Sequence, residues 1–303
     1  MTRQRIGVLG GGLMGHGIAY LFAAAGHPVS IFEPAVSVRD AIPTRFEAIR
    51  KLLDGDAAIL PRIAIRDRLA DAVTDADVVI EAAPEKLDLK QKIFAEVEAL
   101  VAPDTILASN SSALRPTDIG RDLVRRDRMI GTHFWNPPHL VPLVEVIETE
   151  VTSAATVEAT MRLMREAGKK PVHVRRDVPG FIGNRLQHAL KREAIALLAD
   201  GVADAATIDE VVKEGFGARL AVLGPLEQSD LVGLELTLDI HETLLQHLDC
   251  TKGPHPLLRQ KVAEGKLGMK TGEGFRRWTE EEAETVRTRL SRFLATLVKR
   301  PPS

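Results

Sequence analysis

The sequence predicts an α/β chain, a doubly wound parallel sheet followed by an all-helical C-terminal domain. Three observations predict it. Short apolar runs of strand length alternate with helix-length stretches as far as Val174. Polar clusters stand at the ends of those runs, where ligands bind in such sheets. After Asp177-Val178-Pro179-Gly180 the alternation stops and only helical patterns follow.

The first apolar run, residues 6–9, feeds directly into Gly10, Gly12 and Gly15, a G-x-G-x-x-G with Leu13 and Met14 between the last two glycines. An apolar helix pattern follows at Met14, Ile18, Leu21, Phe22 and Ala25. Gly10 permits the tight turn, Gly12 lets a pyrophosphate approach the backbone, and Gly15 lets the helix pack close to the strand. The N-terminal N–H groups of that helix then hold the phosphate charge. A second strand, residues 28–32, ends in Glu33, at about the 20-residue offset expected of the acid that binds the adenine ribose. Pro34 and Ala35 follow it, with no adjacent Arg, so NAD is expected rather than NADP. This is the signature of a Rossmann-type sheet.

Helix-compatible stretches at 37–54 and 59–69 come next, carrying Arg39, Arg45, Arg50 and Lys51. They read either as a solvated helical insertion or as a basic rim for an anion. Residues 78–83 form a buried strand, apolar except for Glu81, ending at Pro84-Glu85-Lys86. A helix with Leu89, Ile93, Phe94, Val97 and Leu100 follows. Strand 105–108 breaks into Ser109-Asn110-Ser111-Ser112, and strand 129–132 into His133-Phe134-Trp135-Asn136. Strand 143–147, helix 154–167 and strand 171–174 complete the first domain, 1–180. The second, 181–303, shows helices at 181–200, 205–214, 226–248, 256–264 and 280–299. The first of these is long and apolar enough to be buried between domains or subunits.

Composition narrows the function classes. Lys plus Arg is 40 against 42 Asp plus Glu, which favours neither nucleic acid nor a membrane surface. Aromatic residues are only 4%, so stacking on bases is not expected. No stretch approaches the roughly 20 apolar residues of a membrane span. The single cysteine, Cys250, excludes an internal disulfide. With no signal-peptide layout before the first strand, a cytoplasmic location is expected.

His133 leaves a strand end beside the expected cofactor, and Glu145 lies inside an apolar run where a carboxylate is costly unless paired. Paired, they would fix the imidazole tautomer and suit His133 to act as a general base. The same pattern also fits a core histidine and a strand-edge Glu facing water. Ser111 and Ser112 read as donors to a substrate oxygen or as turn formers. Asn184 reads as a group reaching the cleft or as a cap.

Six motifs in order resemble the 3-hydroxyacyl-CoA dehydrogenase family: Gly10-Gly-Gly-Leu-Met-Gly15, Ser109-Asn-Ser-Ser112, His133-Phe-Trp-Asn-Pro137, Leu143-Val-Glu-Val-Ile147, Pro179-Gly-Phe-Ile-Gly-Asn-Arg185 and Lys270-Thr-Gly-Glu-Gly-Phe275. The resemblance implies an NAD-binding Rossmann domain and a helical domain that makes a homodimer. It implies that His133 takes the 3-hydroxyl proton, that Glu145 orients and charges His133, that Ser112 bonds the reacting oxygen and that Asn184 holds the substrate carbonyl side. It places Glu85, Lys90, Asn110, Asn136 and Lys270 at the cofactor, beside Gly10, Gly12, Leu13, Met14, Gly15 and Glu33.

Two departures concern the substrate. Where the acyl-CoA enzymes supply a Ser and a Lys to CoA, this chain has Ile49 and Asp56. The stretch Gly215-Phe-Gly-Ala-Arg-Leu-Ala-Val-Leu-Gly-Pro225 is longer than in those enzymes and resembles relatives acting on free hydroxy acids, such as gulonate, carnitine and pyridine-carboxylate dehydrogenases. Arg219 within it suits a carboxylate, or a surface ion pair. A small 3-hydroxyacyl-CoA, of the 3-hydroxybutyryl-CoA type, and a free hydroxy acid both remain open as substrates. A non-catalytic NAD-binding protein is disfavoured by the intact set Ser112, His133, Glu145 and Asn184.

Overall fold

A computed structural model describes residues 3–298. Eight strands form one sheet in the order β3-β2-β1-β4-β5-β6-β7-β8. They are β1 Ile6–Leu9, β2 Val29–Phe32, β3 Ile63–Arg66, β4 Val78–Glu81, β5 Ile106–Ser109, β6 Met129–Phe134, β7 Leu143–Ile147 and β8 Lys170–Val174. Helices α1 Gly15–Ala24, α2 Val36–Leu52, α3 Leu69–Val73, α4 Leu87–Glu98, α5 Pro116–Ile119 and α6 Ala154–Glu166 connect them.

Each central strand buries both faces, which explains its unbroken apolar run. Val8, Ile80 and Ala108 point into one core with Ile18, Phe22 and Phe134, whereas Leu9, Val79 and Leu107 point into the other with Phe94 and Val97. Fully burying one such side chain stabilises the fold by about 1.5–3 kcal/mol. Strands β1 to β6 are parallel, and the order reverses between β1 and β4, the crevice where such sheets bind ligands.

Two expectations about the sheet are corrected. It is not parallel throughout, because β7 runs antiparallel to β6. The connection between them, residues 135–142, is too short for the crossover of a dozen or more residues that a parallel return requires. The helix expected over 59–69 is instead a 3₁₀ turn, Ala57–Arg62, followed by β3 paired with β2. Pro61 cannot support a helix interior, and the β-branched Ile63 and Ile65 suit an edge strand.

Contacts divide the chain into two units. Among the described residues, 3–184 and 290–298 form the first, and Arg185–Arg289 the second. Helix α7, Gly183–Ala199, starts in the first unit. It begins two residues later than its pattern suggests, because Phe181 has a left-handed backbone, φ +49°. The expected burial of α7 is not met within the chain, where only Ala196 is buried. The second unit continues with α8 Ala205–Glu214, α9 Pro225–Val232, α10 Leu234–Leu244, α11 Pro256–Ala263 and the first part of α12 Glu280–Val298. The single helix expected over 226–248 is broken at Gly233, whose φ is +99°. Lys299, expected to end the last helix, lies outside the described residues.

Candidate active site

Two of the three glycines of the turn are required by the backbone and its packing. Gly10 has φ +99°, and an added Cβ would meet Ala82 O at 2.8 Å. An added Cβ on Gly15 would overlap Gly10 O, so the helix-to-strand approach requires glycine there. At Gly12 an added Cβ would meet open space, so nothing packed against it requires glycine there. Leu13 is exposed and Met14 caps α1. Glu33 ends β2, with Oε2 accepting from Gly11 N at 2.8 Å and Oε1 from Ala35 N at 2.9 Å. Glu33 is thereby tied to the glycine turn.

Two of the basic residues of α2, Arg39 and Arg45, brace this loop, while Lys51 stays exposed. Arg45 donates to Gly11 O at 2.9 Å, and Arg39 to Glu33 O at 2.8 Å. Arg50 pairs with Glu47. His16 adds a bond from Nδ1 to Gly12 O at 2.6 Å. His16 stands next to the glycine turn in sequence, but Arg45 is remote from it, and only the packing of α2 brings its guanidinium to Gly11.

A buried ion-pair network lies at the C-terminal ends of β4 and β5. Glu81 accepts from Lys90 Nζ at 2.6 Å, Ser109 Oγ at 2.6 Å and Ala83 N at 2.6 Å. The lone acid in the apolar strand was the signal for this network, because such a carboxylate must find partners. Lys90 is 1% exposed and also reaches Glu85 at 3.3 Å, so it is enclosed by the two carboxylates rather than open to solvent. Glu85 in turn accepts from Ser111 Oγ and from the N–H groups of Ser112 and Ala113 at 2.9 and 3.0 Å. Burial would raise its carboxyl, but these donors and the Lys90 charge outweigh burial and hold it below the usual carboxylate range.

Ser112 is fixed at both ends of its backbone. Its N–H meets Glu85, and its carbonyl accepts from Asn184 Nδ2 at 2.9 Å. Asn110 Oδ1 accepts from Phe134 N at 2.9 Å, joining the ends of β5 and β6. Asn136 is exposed just past β6. Lys270 lies in the second unit, in the short turn Met269–Thr271.

His133 and Glu145 face each other across the antiparallel β6–β7 pair, with Nδ1 and Oε2 2.7 Å apart and both side chains almost wholly buried. Glu145 Oε1 accepts from Ile182 N at 2.9 Å and Gly183 N at 3.0 Å, the first turn of α7. Burial opposes ionisation of Glu145, but His133 and these two N–H groups outweigh it and hold the carboxyl below its ordinary range. An ionised Glu145 requires the proton on His133 Nδ1, leaving the Nε2 lone pair to accept one. Trp135 and Phe181 flank the imidazole, at ring-centroid distances of 5.4 and 5.6 Å. The alternative of a strand-edge Glu facing water is excluded by its 1% exposure.

Arg219, in the second unit, is exposed and forms no ion pair among the described residues. Ile49 is buried in α2, and Asp56 Oδ1 accepts from Ala58 N to cap the turn that follows. Among the described residues no group of acids, His and Cys is placed to hold a metal, and no helix is long and apolar enough to cross a membrane.

Comparison with known proteins agrees with this geometry. Residues 5–178 match the family model "3-hydroxyacyl-CoA dehydrogenase, NAD binding domain", and residues 180–278 match "3-hydroxyacyl-CoA dehydrogenase, C-terminal domain". The 5-formyl-3-hydroxy-2-methylpyridine 4-carboxylate 5-dehydrogenase of Mesorhizobium japonicum is 33% identical over 299 residues, covering 97% of each chain. A crystal structure of an enzyme of that name, described as an NAD+ dependent dismutase, superposes with a TM-score of 0.92 at 32% identity, covering 98% of this chain and 97% of the other. The (S)-3-hydroxybutyryl-CoA dehydrogenase of Ralstonia eutropha superposes with a TM-score of 0.75 at 33% identity, covering 92% of this chain and all of the other.

Proposed function

The chain belongs to the 3-hydroxyacyl-CoA dehydrogenase family, and from that premise we propose that it oxidises the hydroxyl group of a small free acid rather than of an acyl-CoA. It is an NAD-dependent oxidoreductase acting on CH–OH groups. The observation that carries the choice of substrate is the state of the two CoA positions. Ile49 is part of the core and Asp56 is a cap, so neither offers CoA the hydroxyl or the ammonium that the family resemblance implies. The fuller likeness to a pyridine-carboxylate enzyme supports the same reading.

Bound NAD supplies the hydride acceptor. His133 Nε2 takes the hydroxyl proton as the hydride leaves the same carbon. Glu145 balances the imidazolium that forms, and it is already charged and held by three donors. The Ser112 hydroxyl makes no bond within the protein among the described residues, so it can donate to the reacting oxygen, while Asn184 fixes the Ser112 backbone. Arg219 receives the substrate carboxylate in a bidentate pair. The apolar side chains exposed on the helical unit pair with a second copy of the chain, making a homodimer.

The acyl-CoA reading stays in contention because the family at large and the Ralstonia relative carry it. The test is NAD reduction measured side by side with 3-hydroxybutyryl-CoA and with free hydroxy acids, gulonate and carnitine among them. Turnover of a free acid with no turnover of the thioester is the expected result. Turnover of the thioester alone would overturn the choice of substrate and make Arg219 incidental.

A further inference from the structure

The residues from Gly180 to Asn184 touch the candidate active site more often than a linker requires. Gly180 and Phe181 both have left-handed backbones, φ +77° and +49°. For Phe181 that conformation is strained, and a strained residue persists only where its surroundings hold it. Two consequences follow from this bend. The Phe181 ring, 1% exposed, lies against one side of His133. The next two N–H groups then point at Glu145 Oε1.

Gly183 presents a separate question. Its φ is not left-handed, so it needs no glycine for backbone reasons. As the first residue of α7 it would be better served by alanine, the stronger helix former. What forbids a side chain is Trp135. An added Cβ would overlap Trp135 Cζ2 and stand 3.1 Å from Cη2. The indole therefore sits against the bare backbone of α7, and its ring centroid lies 5.4 Å from that of the His133 ring, tilted by 50°. Three parts meet here: the helix start that donates to Glu145, the indole, and the imidazole that Glu145 orients.

We propose that Trp135 and Gly183 form a wedge that positions the general base. The absence of a Cβ lets α7 start close enough to give both N–H groups to Glu145, and the indole fills the space between that helix start and His133. Both are positioning residues, since they act through His133 and Glu145 rather than on the hydroxyl itself. The inference rests on the reading of His133 as the base.

The test is Gly183→Ala made in the wild-type chain and in a Trp135→Phe background, where the smaller ring leaves room for the methyl group. In the wild-type background kcat for the substrate that is turned over is expected to fall on the order of 10²-fold, the cost of a misplacement of about 1 Å. NADH affinity and Tm are expected to hold. In the Trp135→Phe background the same substitution is expected to cost no more than about twofold, the scatter of uncoupled sites. An equal loss in both backgrounds, or no loss in either, overturns the wedge. Proton NMR reads it without a substrate, through the downfield signal of His133 Nδ1–H on Glu145. That signal is expected to weaken in Gly183→Ala and return in the double variant. If it does so while His133→Ala turns over normally, the wedge stands and the reading of His133 as the base falls.

Discussion

In the first unit Val8, Ile80 and Leu107 have no exposed surface, whereas in the second unit α10 leaves Leu234, Leu236, Leu238 and Ile240 exposed by 61, 50, 58 and 47%. These are the same residue types with opposite fates. The sheet buries a continuous apolar run because helices cover both its faces. Helix α10 carries apolar side chains on two opposite faces, at 234 and 238 and at 236 and 240, and among the described residues they stay about half exposed. The difference teaches that the first unit completes its own core, while the second keeps much apolar surface exposed among the described residues. The homodimer proposed above would place that surface against a second copy.

The comparison can be broken or sharpened by experiment. The largest effect is expected where the first unit carries the chemistry. His133→Ala should lose roughly 10²–10⁴-fold in kcat, the usual share of general-base catalysis, with NADH binding unchanged. Normal turnover in that variant would remove the first unit's claim to the reaction.

Burial comes next. Ile80→Ala should destabilise by about 2–5 kcal/mol, as for other core truncations. Leu238→Ala should cost no more than about 0.5 kcal/mol in dilute protein, where a surface residue is felt little. At high protein concentration Leu238→Ala should instead weaken self-association, read by sedimentation. A core-sized loss of stability in the dilute, monomeric protein would show that α10 is covered within the chain after all.

A smaller effect tests the second unit's share in the substrate. Arg219→Leu should raise KM for a free acid by about 10- to 100-fold, the worth of a charge-assisted bond, and leave NADH affinity alone. An unchanged KM would confine substrate recognition to other residues.

A last effect, read only as acid is added, concerns stability in the first unit. Burial, then the charges of His16 and Lys169, lowers His139 from 6.5 to about 4. Between those values the unfolded chain binds a proton that the folded imidazole refuses, so stability falls as pH drops through this window. His139→Gln should flatten that part of the curve relative to wild type, read as Tm at pH 6.5 and 4.5. An identical pH dependence in the two proteins would show that His139 takes its proton without unfolding.

Much of the fold was legible because its signals are local. The strand that turns at Gly10 and the helix that starts at Gly15 follow from neighbouring residues and backbone freedom. Strand β3 was missed because Ile63 and Ile65 are too few for a period, and only pairing with β2 makes them a strand. The break in the helix at Gly233 was missed because one glycine is tolerated in many helices. In the site, His133 and Glu145 could be paired on paper because a buried carboxylate needs a partner. The N–H groups of Ile182 and Gly183 that complete Glu145 had no signal, since every residue but proline carries one.

The sequence by itself determined the class of fold, the cofactor, the family and which residues are eligible for catalysis, because each rests on residue type and short spacing. Only the tertiary structure decided which groups share the charge of Glu145. It also decided that Lys90 is held beneath Glu81 and Glu85, that Arg45 braces the glycine turn, and that β7 runs against β6. Those facts depend on which distant backbone atoms lie within about 3 Å of one another, and hydrogen bonds lose most of their strength beyond that distance. No residue's own chemistry specifies such a distance. It is set by the packing of the whole sheet.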